Sequence, residues 1–105
     1  MNASFEFTPQ ATEDLDGIWS FIAGDNRDAA NRVEMEIVAS CSRLAKRPLI
    51  GARRRDITPL PVRFWTVPKY PNYVIVYRPD TMPLQVVAVL HGKRDLKETL
   101  ETRPN

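Results

Sequence analysis

The segment Val89-Leu90-His91-Gly92-Lys93-Arg94-Asp95-Leu96 carries the densest chemistry in this chain. An apolar run passes within a few residues into an imidazole, two cations and a carboxylate. A group that titrates near neutrality then stands beside positive charge. Such a cluster suits phosphate binding, or proton transfer on RNA. The plainer reading is a strand end whose His91 bonds locally and whose Lys93 and Arg94 are solvated. Arg53-Arg54-Arg55 reads first as a solvated loop, and second as a docking point for an acidic partner or nucleic acid.

Other chemistries find no support. Cys41 is the single cysteine. It has no base placed beside it and lies on an apolar helical stripe, so it reads as a small buried residue rather than a nucleophile. One cysteine and one histidine do not make a zinc cluster. No glycine-rich phosphate loop and no Gly-x-Ser-x-Gly elbow is present. Neither a metal nor a cofactor is expected.

These groups must be positioned by a single domain, residues 1–105. The composition, 43% hydrophobic and 27% charged, is too apolar and too balanced in charge for disorder. The longest uncharged apolar stretch, Val86 to Leu90, is far below the roughly 20 residues of a membrane span. The opening Met-Asn-Ala-Ser-Phe-Glu has neither a basic nor an apolar leader region. With one cysteine, a reducing cytoplasm is the expected setting.

Ser4 to Thr8 alternates and predicts a short strand. Thr8-Pro9 starts a helix, with Thr8 as N-cap and Pro9 first inside it. Leu15, Ile18, Trp19 and Ile22 form its apolar stripe, which predicts Trp19 in the core. Phe21 lies off that stripe and is a candidate partner contact. Glu13, Asp14 and Asp16 are read as complementing the positive end of the helix. Asp28 is the expected N-cap of a second helix, whose stripe is Ala30, Val33, Ile37, Cys41 and Leu44. Arg43, Lys46 and Arg47 suit its negative end, and Pro48 closes it. The helices should form an antiparallel hairpin.

After a loop over 49–61, three strands are predicted: 62–67, 73–78 and 84–91. Short turn-rich links make them an antiparallel meander. Val86 to Leu90 is apolar on both faces, so the last strand is expected to be central. Residues 94–101 suggest a short closing helix. The order β-α-α-β-β-β is an α+β domain, a helical hairpin packed on an antiparallel sheet. Trp65 shares a strand face with Arg63, and Phe64 faces the other way.

Net charge is +2, unevenly spread. Residues 1–42 hold eight acids and two bases, whereas 43–105 hold thirteen bases and five acids. That sets an acidic helical hairpin against a basic sheet, with Arg63, Arg78, Lys93 and Arg94 expected at one basic sheet end.

Four segments resemble the RelE/ParE superfamily of type II toxin–antitoxin toxins. They are Phe7-Thr8-Pro9-Gln10-Ala11-Thr12-Glu13-Asp14-Leu15-Asp16-Gly17-Ile18-Trp19, Leu44-Ala45-Lys46-Arg47-Pro48-Leu49-Ile50-Gly51, Tyr73-Val74-Ile75-Val76-Tyr77-Arg78 and Val89-Leu90-His91-Gly92-Lys93-Arg94-Asp95. The resemblance covers nearly the whole chain. It implies the fold just described and a growth-inhibiting bacterial toxin neutralised by a cognate antitoxin.

The superfamily divides by target. The RelE branch implies a ribosome-dependent mRNA endonuclease that uses strand arginines and often a C-terminal tyrosine or histidine. The ParE branch implies a DNA gyrase inhibitor. Val74 stands where RelE-like chains carry arginine, and Leu100 where they carry the tyrosine. Arg94 matches the post-strand arginine, and Arg63 offers one further cation. The ending Leu90-His91-Gly92-Lys93-Arg94-Asp95-Leu96 is similar to the ParE pattern, which favours gyrase. On the RelE alternative, His91 would be acid or base, with Arg94, Arg63 and Arg78 binding phosphate; ribosome and mRNA would be its partners. A third alternative is a non-toxic protein-interaction module. Candidate contacts to target or antitoxin are Arg63, Trp65, Arg78 and His91, then Lys93, Arg94, Asp95 and Phe21.

Overall fold

The computed structural model describes residues 4–92. Lys93, Arg94, Asp95, Leu100 and the predicted closing helix lie outside the described residues. Strand β1 (Phe5–Phe7) is followed by helices α1 (Pro9–Ala23) and α2 (Arg27–Lys46). Strands β2 (Arg63–Thr66), β3 (Tyr73–Arg78) and β4 (Leu84–His91) complete the order β-α-α-β-β-β.

The sheet runs β1-β4-β3-β2. The meander β2-β3-β4 is antiparallel as predicted. β1 joins β4 in parallel, Phe5 opposite Leu84 and Phe7 opposite Val86, so the whole sheet is mixed. The reason is the helical hairpin: β1 leads into α1, and the two helices form a crossover of the kind a parallel pair requires. β4 is central. The β3–β4 register shifts by one residue after Val76, making Val87 the extra residue of a bulge.

Both faces of the sheet are covered. On one, Leu15, Val33, Ile37, Cys41 and Leu44 from the helices meet Ile75, Tyr77, Leu84, Val86 and Val89. On the other, Val62, Phe64, Val74, Val76 and Ala88 form a smaller cluster, roofed by Ile57 and Leu60 of the long loop. The predicted stripe of α2 is buried throughout.

Thr8 caps α1 through its hydroxyl, which accepts from the Ala11 amide at 3.1 Å, and Pro9 begins the helix. Three local expectations are corrected. Asn26, not Asp28, caps α2, its Oδ1 accepting from Ala29 N at 3.0 Å; Asp28 lies in the first turn. α1 carries no acid in its first turn. Asp14 instead accepts from the Val89 amide of β4 at 3.0 Å. That bond serves the edge of β4 beyond the point where three-residue β1 ends. Trp19 does not enter the core: it is half-buried at the helix–helix seam, where Nε1 donates to Asn31 Oδ1 at 2.8 Å and Arg27 stacks at 5.7 Å. The indole N–H thus finds its acceptor at the seam.

Gly17 sits within α1, where glycine costs roughly 1 kcal/mol relative to alanine. No helix among the described residues is long and apolar enough to cross a membrane.

Candidate interaction surface

The sheet register places Arg63, Trp65, Arg78 and His91. His91 ends β4 opposite Tyr73, on the helix-covered face. It is exposed, and its ring meets Tyr73 edge-on with centroids 5.0 Å apart. Arg78 ends β3 opposite Gln85, at the other end of the same ladder. Five residues along an extended strand separate the two by about 17 Å. They also lie on opposite faces. Arg78 lines a shallow cleft of about 440 Å³ with Thr8, Gln10, Thr81 and Gln85.

Arg63 lies opposite Tyr77 and so shares its face. One guanidinium nitrogen donates to the Gly51 carbonyl at 2.8 Å and more weakly to that of Leu49 at 3.4 Å. The Tyr77 hydroxyl donates to the Pro48 carbonyl at 2.6 Å and accepts from the Gly51 amide at 2.9 Å. Burial pushes the Tyr77 phenol up, and the Gly51 amide and Arg63 charge partly oppose this. Arg63 therefore holds the chain as it leaves α2. Trp65 is half-buried against the helix-side core. Its indole nitrogen and Arg63 Nε are buried without a hydrogen-bond partner among the described residues.

Among the described residues the predicted basic sheet end is thus not one place. Arg63 and Arg78 lie on opposite faces near one end, and His91 lies at the other. Arg54 forks onto Asp56 at 3.0 and 2.7 Å, a solvent-facing pair of little energetic weight. Cys41 is fully buried and burial pushes its thiol up to about 12, which fits the packing role. No group of three metal-binding side chains occurs among the described residues. Phe21 is 83% exposed, as its place off the stripe predicted.

Sequence reasoning missed a groove beside α2. Met35 and Ala39 face Tyr70 and Lys69 of the β2–β3 turn across a space of about 310 Å³. Met35 is 70% exposed, and Val38 next to it is also exposed. Arg32 and Glu36 rim the groove, with Glu36 bonded to Arg43 at 3.2 Å. The only signal in the sequence was apolar residues on the solvent side of an amphipathic helix. The Tyr77 knot was missed too, although it joins two of the segments that carry the family resemblance. Pro48 and Gly51 come from one, and Tyr77 from the other.

Residues 5–96 match the family model described as the ParE toxin of type II toxin-antitoxin system, parDE. A search of curated proteins found no match. Among solved structures, one described as a chromosomal ParDE TA system from P. aeruginosa superposes with a TM-score of 0.70 at 22% identity. That match covers 86% of this chain and 96% of the other, and shows the fold.

Proposed function

The chain belongs to the ParE toxins of type II toxin–antitoxin systems, and from that premise we propose that it arrests bacterial growth by binding DNA gyrase. The activity is a stoichiometric inhibition in the cytoplasm, without a reaction of its own. The observation that favours gyrase over message cleavage is the scatter of the candidate groups among the described residues, Arg63, Arg78 and His91. RNA cleavage needs an acid or base and charge-stabilising cations within reach of one phosphate. Here Arg63 is engaged by loop carbonyls, and Arg78 is about 17 Å along the sheet from His91 on the opposite face.

The neutralising partner is a cognate antitoxin, as the ParDE relative's description suggests. The α2 groove suits an amphipathic segment that folds as it binds. Met35, Val38 and Tyr70 offer apolar contact. Arg32 and Lys69 supply positive charge, while Glu36 is already neutralised by Arg43.

Purified protein added in molar excess to gyrase and relaxed plasmid should block supercoiling or trap cleaved DNA. Normal supercoiling at that excess sinks the gyrase reading. Primer extension on ribosome-bound message is the matching test for cleavage, and no cleavage is expected.

A further inference from the structure

α1 presents a second feature on its solvent side. A Cβ built at Gly17 would meet no atom within 4 Å, so no contact inside the chain requires glycine there. Four residues on, Phe21 is almost wholly exposed. Residues four apart share a helix face, and helical side chains lean toward the N-terminus. Phe21 therefore stands as a wall beside the Gly17 turn while the space above Gly17 stays open. Glu13, Asp16 and Asp25 are exposed around this notch, and none is ion-paired among the described residues.

We propose that the Gly17–Phe21 face of α1 docks a lysine- or arginine-rich segment of the toxin's target enzyme, with Phe21 entering an apolar socket and the segment seated on Gly17. This rests on the gyrase reading above. Charge selects the occupant. The acidic rim repels an acidic antitoxin segment, for which the cation-rimmed α2 groove is the better match. An enzyme that holds DNA must display Lys and Arg, and an acidic surface with an aromatic anchor competes for such a patch. Aromatic anchors set beside a cavity are also where binding energy concentrates.

The test measures gyrase inhibition and antitoxin affinity side by side for wild type, Phe21→Ser, Gly17→Gln and Asp16→Lys. The variants should inhibit gyrase about tenfold or more weakly, with antitoxin affinity within about twofold of wild type. Added salt should weaken wild-type inhibition. Gly17→Gln should also melt about 4 °C higher, because the helix loses a glycine that no contact needs. A more stable but less inhibitory variant is hard to explain by damage to the fold. If wild type inhibits and the variants match it, this inference falls while the gyrase reading stands. If the variants lose antitoxin affinity instead, the face belongs to the antitoxin and the inference is overturned. If wild type fails to inhibit, the gyrase reading itself fails.

Discussion

The Tyr77 hydroxyl holds both ends of a short turn, accepting from the Gly51 amide and donating to the Pro48 carbonyl, while Arg63 donates to the Gly51 carbonyl. A methyl group on Gly51 would strike that hydroxyl and crowd the Tyr77 ring carbon at 2.8 Å. Gly51→Ala should therefore destabilise the protein by about 1–3 kcal/mol through overpacking. Tyr77→Phe should lose about 1–3 kcal/mol by stranding a buried amide, and urea unfolding measures both. Cys41 makes a pH prediction. The unfolded thiol releases its proton from about pH 9, whereas the folded one holds it to about 12. Raising pH thus favours the unfolded chain, and the thiol's contribution is full below the unfolded pKa and lost on the way to the folded one. Cys41→Ala should flatten the alkaline fall in urea midpoint, and native Cys41 should resist thiol reagents until the protein unfolds. Cys41 and Phe21 were legible because helical spacing sorts inward from outward. Arg63 was not, since residue type says only that it is a cation, and its acceptors lie twelve or more residues away.

At the level of elements, the caps and strands follow local rules, and the pairings between distant segments do not. Thr8-Pro9, the α2 stripe and strands 73–78 and 84–91 could all be read from spacing. The parallel docking of β1 could not, because alternation in three residues says nothing about which strand they meet. Asp14 was misread for the same reason: a carboxylate near a helix start suits the dipole, but here its partner is an amide 75 positions away. Asp14→Ala should speed hydrogen exchange at the Val89 amide and cost about 1–3 kcal/mol, the penalty of an unsatisfied, partly buried donor. The α2 cap went to Asn26 because its side chain, two residues ahead of Asp28, reaches the Ala29 amide. Asn26→Ala should cost about 1 kcal/mol, and circular dichroism during thermal unfolding would register it.

For the whole molecule, the uneven charge in the sequence becomes a division of surfaces. The helical hairpin carries exposed acids near Phe21, without ion pairs among the described residues, and the α2 groove is rimmed by Arg32 and Lys69. Association of antitoxin with the groove should slow as ionic strength rises, which stopped-flow mixing at two salt concentrations would show. Met35→Glu should weaken that complex and leave gyrase inhibition intact.

The β1–β4 pairing also sets an order of events during synthesis. The hairpin that needs a sheet to rest on is made first, and the strand at the middle of that sheet is made last. Until Leu84 to His91 have emerged, Leu15, Val33 and Ile37 lack the Leu84, Val86 and Val89 side of their core and the first strand lacks the strand it pairs with. Such distant pairing closes a long loop before any contact compensates for it, which slows folding. A chain halted before β4 lacks the strand to which both β1 and β3 are joined, so the first strand made waits for the fourth before this sheet can close.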